Sequence, residues 1–167
     1  MANRIQNLKL SASELRVMGF HESFVKDYSL MSGNMDILST QFQWLKSGSQ
    51  AVTGGFSAIT GWAVERDTGS FTDSSSAGTI TIPKTGDYQL DCFVQGDAAT
   101  GLTINAQLFT GGAWNDIAGA TAMATQHAVI SGCLFSPSVS ELVRIVVKGG
   151  TMNITTGNAR VTIGRKS

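Results

Sequence analysis

From residue 50 onward, apolar and polar positions alternate in short runs, the period that puts successive side chains on opposite faces of a β-strand. Gly78-Thr-Ile-Thr-Ile82 alternates and stops at Pro83. Tyr88, Leu90, Cys92 and Val94 alternate with Gln89, Asp91 and Gln95, and Leu102, Ile104, Ala106 and Leu108 with Thr103, Asn105 and Gln107. Ala128 to Phe135, Leu142 to Lys148, Met152 to Thr155 and Arg160 to Gly164 are further strands, and Phe56 to Ile59 and Trp62 to Arg66 are shorter ones. Lys84-Thr85-Gly86, Gly111-Gly112, Ser136-Pro137-Ser138 and Gly149-Gly150 supply the turns. Strands this short, with no helical period between them, predict an antiparallel β-sandwich or jelly roll, because a parallel α/β sheet needs crossover helices.

Residues 1–46 follow another pattern. Ser11-Ala-Ser-Glu14 fits a capping box, with Leu15, Val17 and Met18 as the apolar face of a short helix ended by Gly19. Phe24, Tyr28, Met31, Met35, Leu38, Phe42 and Leu45 then recur at alternating spacings of four and three, a heptad seam of about three repeats. Ser32-Gly33-Asn34 interrupts the seam, so two short helices are expected rather than one rod. Glycines become frequent from Lys46-Ser47-Gly48-Ser49 onward. The boundary is placed there, giving a helical segment at 1–46 and a β domain at 50–167. Such a seam serves equally for helix self-association or for docking on another protein. Leu8, Leu10, Leu15, Met18, Phe24, Tyr28, Met31, Met35, Leu38, Phe42 and Leu45 are the candidate anchoring and assembly residues.

Composition narrows the function. The chain has 167 residues, charged side chains make up only 14%, and formal net charge is zero. Global attraction to nucleic acid or to acidic membranes is therefore not expected. Residues 51–141 are acid-rich, whereas residues 142–167 hold Arg144, Lys148, Arg160, Arg165 and Lys166 and no acid. No apolar run reaches the length of a membrane span, and the first ten residues lack a signal-peptide core.

The chemistry of the chain points away from catalysis. Cys92 and Cys133 have neither disulfide-framework nor metal-ligand spacing and are expected as free thiols. His21 and His127 have no catalytic or ligand partner nearby in sequence, and no phosphate loop or nucleophile elbow occurs. Asp67, Asp73, Asp97 and Asp116 have no EF-hand spacing and fit turn chemistry. No catalytic, cofactor or metal site is assigned, and no enzyme is expected. Trp62 and Trp114, beside glycine-rich loops, are the candidate ligand residues, with a glycan as the ligand.

The stretch Gly78-Thr-Ile-Thr-Ile-Pro-Lys-Thr-Gly-Asp-Tyr-Gln-Leu90 resembles the strand–Pro–turn–Gly–Tyr–strand segment of the complement globular-head and tumour-necrosis-factor-like jelly rolls. Phe56–Ile59 resembles that family's first strand, and Leu102–Phe109 with Gly111-Gly112 the strand and turn that follow the quoted segment. His127–Phe135, the turn at Ser140–Leu142 and Val143–Val147 resemble its next strand pair, and Arg160–Gly164 its closing strand, which is more polar here. The resemblance implies a homotrimer about a threefold axis. Low charge, abundant Ser, Thr and Gly, and the missing signal peptide also resemble bacteriophage virion proteins that use such jelly rolls, assembled in the host cytoplasm. That resemblance implies a capsid decoration or cement protein, gripping other virion proteins through its N-terminal segment. The alternative is a fibre module that recognises a host-surface receptor or glycan.

Overall fold

The computed structural model describes residues 40–97, 101–122 and 126–167. The candidate anchoring residues Leu8, Leu10, Leu15, Met18, Phe24, Tyr28, Met31, Met35 and Leu38, and the helices expected to carry them, lie outside the described residues. Thirteen strands run through the described part: β1 (Gln41–Lys46), β2 (Gln50–Val52), β3 (Ser57–Ala58), β4 (Trp62–Asp67), β5 (Thr72–Ser74), β6 (Thr79–Thr81), β7 (Tyr88–Gln95), β8 (Leu102–Thr110), β9 (Ala113–Ala122), β10 (His127–Phe135), β11 (Leu142–Lys148), β12 (Met152–Ile154) and β13 (Ala159–Arg165). One sheet has the order β10-β7-β13-β1-β4 and the other β5-β6-β11-β8-β9, with β3 added beside β11; β2 and β12 pair separately. All pairings are antiparallel. Strands distant in sequence lie side by side, β7 between β10 and β13 and β11 between β6 and β8, as in a jelly roll.

Alternation sets the core. On β7, Tyr88, Leu90, Cys92 and Val94 are buried, as are Leu102, Ile104, Ala106 and Leu108 on β8. Val143, Ile145 and Val147 on β11 and Ala159, Val161 and Ile163 on β13 complete the facing layers. Each large side chain removed from water this way contributes roughly 1.5–3 kcal/mol.

Three expectations are corrected. Gln41–Lys46 is not helical: it is a strand between β13 and β4, so the β body begins before residue 46. Phe42 lies on a period-2 pattern with Trp44, both 0% exposed, while Gln41, Gln43 and Leu45 face the other way. Phe42 is therefore a core residue, whereas Leu45 is half-buried on the opposite face. The first strand of the five-stranded sheet is β1, and Phe56–Ile59 contributes only the two-residue β3 against β11. The strand β9, not anticipated in the sequence, pairs with β8 through the Gly111-Gly112 turn.

An aromatic column runs through the core. Trp44 stacks on Trp62 at 5.2 Å and 9°, and Phe42 meets Trp44 at 5.4 Å and Phe71 at 5.2 Å. Tyr88 continues it to Phe71 at 6.2 Å and Phe135 at 6.0 Å. Where β1 ends, Lys46 is only 2% exposed, and its ammonium donates to the carbonyl oxygens of Ser47 (3.1 Å) and Gly61 (3.5 Å). Burial lowers its pKa.

The chain end is fastened to the start of β7. Ser136 and Ser167 hydroxyls donate to the Asp87 carboxylate, and Lys166 N–H donates to the Asp87 carbonyl at 2.7 Å. The Ser136 bond, then that of Ser167, favours the charged carboxylate and lowers its pKa. Asp97 is lowered likewise, by the main-chain N–H and then the side-chain amide of Asn153. A depressed native pKa means the unfolded state binds the proton more tightly. The stabilisation is therefore present above the unfolded value of about 4 and is lost as pH falls through the native values. Thermal unfolding between pH 7 and pH 2.5 is expected to show a steeper acid loss in the wild type than in the Asp87→Asn, Asp97→Asn double variant. Identical acid slopes would refute this.

Candidate functional site

The outer face of the five-stranded sheet is built from three cross-strand rows. The first runs Val129 (β10), Phe93 (β7), Arg160 (β13), Leu45 (β1) and Ala63 (β4). The second passes Asp91, Thr162, Gln43 and Arg66, and the third Leu134, Gln89, Gly164 and Gln41. Charge is sparse and locally engaged. Arg160 lies 3.5 Å from Glu65, and Asp91 accepts from Gln89 Nε2 (3.0 Å), Ser131 Oγ (3.2 Å) and Gly132 N–H (2.7 Å). A shallow depression of about 140 Å³ lies between Phe93, Val129, Arg160 and Thr162.

A β-bulge decides what this face shows. Between Ile130 and Cys133, β10 takes three residues while β7 advances by two, from Cys92 to Leu90. Gly132 occupies the left-handed region at φ 66°, and its freed N–H is the one that Asp91 accepts. Past the bulge Phe135 turns inward onto Tyr88, and Leu134 turns outward, where it is 70% exposed. Val129 on the same strand is 50% exposed.

The two tryptophans singled out in the sequence part company. Trp62 is 4% exposed, stacked on Trp44, and its indole N–H donates to the Ile59 carbonyl at 2.7 Å. It is a core residue: at the start of β4 it pairs opposite Lys46 and faces inward onto Trp44. Trp114 is half-buried on β9 of the other sheet, with Phe109 at 5.2 Å and the Arg144 guanidinium 3.9 Å over its ring. No pattern in the sequence marks the bulge that turns Leu134 outward, and Val129 lies in an unbroken apolar run, Ala128–Ile130, where alternation cannot be read.

Other reactive groups are subdued. Burial pushes the Cys92 thiol up to about 12, and burial with the nearby Asp91 charge raises Cys133, so neither is a thiolate at neutral pH. Asp67 accepts from the N–H groups of Gly69 (2.9 Å) and Phe71 (3.3 Å), closing its own turn. Asp116 accepts from Asn105 and Gln107. Among the described residues, no three His, Cys, Asp or Glu side chains are grouped to hold a metal, and no helix is long and apolar enough to cross a membrane.

No protein-family pattern matches the chain, and no curated protein matches it in sequence. Solved structures do match in fold. Eiger TNF from S. frugiperda aligns with TM-score 0.60 at 7% identity, over 76% of this chain and 92% of that one. The globular domain of zebrafish complement 1qA aligns at 0.59 and 10% identity, over 77% and 98%. The PRD1 vertex protein P5 aligns at 0.59 and 14% identity, over 78% and 99%. At these identities the likeness is one of fold: the described body has a jelly roll similar to those of the tumour-necrosis-factor and complement-head structures.

Proposed function

We propose that this chain is a non-enzymatic structural protein of a bacteriophage virion, a capsid decoration or cement protein. In this reading it trimerises through the outer face of the five-stranded sheet and grips the particle through residues 1–39. The observation that carries the reading is Leu134, 70% exposed on the same strand and face as Val129, on a broad, weakly charged sheet face. A large aliphatic side chain turned outward by a bulge, on the face that Val129 already shares, is costly in water and gains by burial against a second copy. The fold shared with PRD1 vertex protein P5 supports a virion setting. The apolar positions from Leu8 to Leu38 supply a second sticky segment, distinct from the body, for other virion proteins. Low charge makes apolar burial the main source of binding energy at both contacts.

Sedimentation equilibrium of the full chain tests the assembly. A mass three times 17.6 kDa is expected at tens of micromolar, within the range of standard-sized interfaces. A 17.6 kDa species at that concentration would remove the basis of the proposal.

A further inference from the structure

The outer face of the other sheet carries a polar strip that the self-association reading does not use. On β8 the outward positions include Asn105, Gln107 and Phe109, spanning about 13 Å at the rise of a strand. Register places Gln107 between Asp116 on β9 and Arg144 on β11, and Phe109 opposite Trp114. These side chains are tied into one row. Arg144 Nε donates to Gln107 Oε1 at 2.8 Å, Gln107 Nε2 donates to Asp116 Oδ1 at 2.7 Å, and Asn105 Nδ2 donates to Asp116 Oδ2 at 2.8 Å. Gly119 makes room for this: a Cβ there would lie 2.7 Å from Asn105 Oδ1. Planar groups are thereby held in fixed orientations before any ligand arrives.

The row leaves particular groups unspent. The Arg144 guanidinium gives one face to Trp114 and its Nε to Gln107. Its two terminal amino groups have no hydrogen-bond partner among the described residues. Both Asp116 oxygens are taken by amides, so no carboxylate directly neutralises the guanidinium. A stacked arginine with its outer edge free is a fork for a planar anion such as a carboxylate. Beside it, Trp114 and Phe109 offer an apolar surface to the C–H face of a sugar ring, and the amides of Asn105 and Gln107 match ring hydroxyls. One positive and one negative charge leave the row neutral, unlike the multiple cations that bind a nucleic-acid backbone.

We propose that Asn105, Gln107, Phe109, Trp114, Asp116 and Arg144 form a binding strip for a carboxylated saccharide. Arg144 takes the carboxylate, Trp114 with Phe109 the ring face, and the Asn105 and Gln107 amides the hydroxyls. The strip lies on the side of the sandwich opposite Leu134, so it works in a monomer and in an oligomer alike.

Titration of the full chain with oligogalacturonate and with oligosialic acid, followed by tryptophan fluorescence and calorimetry, tests it. Saturable binding of at least one is expected, with neutral dextran inert. Arg144→Lys, which keeps the charge and loses the fork, is expected to weaken binding at least about tenfold at an unchanged melting temperature. Trp114→Phe is expected to bind more weakly than wild type and more tightly than Trp114→Ala. No saturable binding of either saccharide up to millimolar concentration overturns the proposal. So does equal affinity for polyglutamate, which marks an acidic protein as the ligand, or an Arg144→Lys variant that binds like wild type.

Discussion

Leu134→Asp is expected to leave the β body folded and to hold the chain as a monomer at concentrations where the proposed wild-type trimer forms. In the isolated protomer this side chain is already 70% exposed, so the substitution costs the fold about 0.5 kcal/mol or less. In the assembled form the same position would bury a carboxylate without a partner, a penalty of several kcal/mol per copy, repeated at each symmetric contact. Three such penalties exceed what a standard interface of moderate affinity supplies. Val129→Asp on the same strand and face is expected to act alike, whereas Val139→Asp, 55% exposed but in the turn between β10 and β11, is expected to leave assembly intact. Sedimentation velocity beside circular dichroism reads both properties. A Leu134→Asp protein that stays trimeric would place the contact elsewhere.

Two N-terminal deletions are expected to behave in opposite ways. Removing residues 1–39 leaves every described strand of both sheets in place. That protein is expected to fold and to trimerise, but not to bind particles. Removing residues 1–46 also excises β1 from between β13 and β4, and with it Phe42 and Trp44. Truncating either aromatic costs about 3–5 kcal/mol, and losing both with a central ladder matches or exceeds the 5–15 kcal/mol that a domain has in total. The longer deletion is therefore expected to be insoluble or unfolded. Quantitative binding of purified protein to particles that lack it gives the second readout. A chain without residues 1–39 that occupies its sites fully would refute the anchoring role.

The sandwich was legible wherever burial and polarity share a period of two. Strands β7 and β8 alternate along nearly their whole length, in sequence and in burial. Strand β1 was concealed because Leu38, Phe42 and Leu45 continue a four-three spacing, while Trp44, two residues past Phe42, carried the competing signal. Strand β9 is made largely of Ala, Gly, Asn and Asp, residues with weak strand preference, and its pairing with β8 supplies what composition does not. The surfaces were harder still. Trp62 follows Gly61 and Trp114 lies two residues past Gly112, yet one is sealed beneath a sheet and the other lies across an arginine, a difference set by long-range packing. The Arg144 contact joins residues thirty apart, and no local pattern announces it.

The irregularity at Ser131–Gly132 has a genetic corollary. Were one codon lost there, β10 would shed its extra residue and pair with β7 two for two, leaving Leu134 opposite Gln89 and outward and Phe135 opposite Tyr88 and inward. A one-residue gain elsewhere between Val129 and Leu134, with no second bulge to absorb it, is what would reverse the two, so this stretch of the gene tolerates shortening better than lengthening.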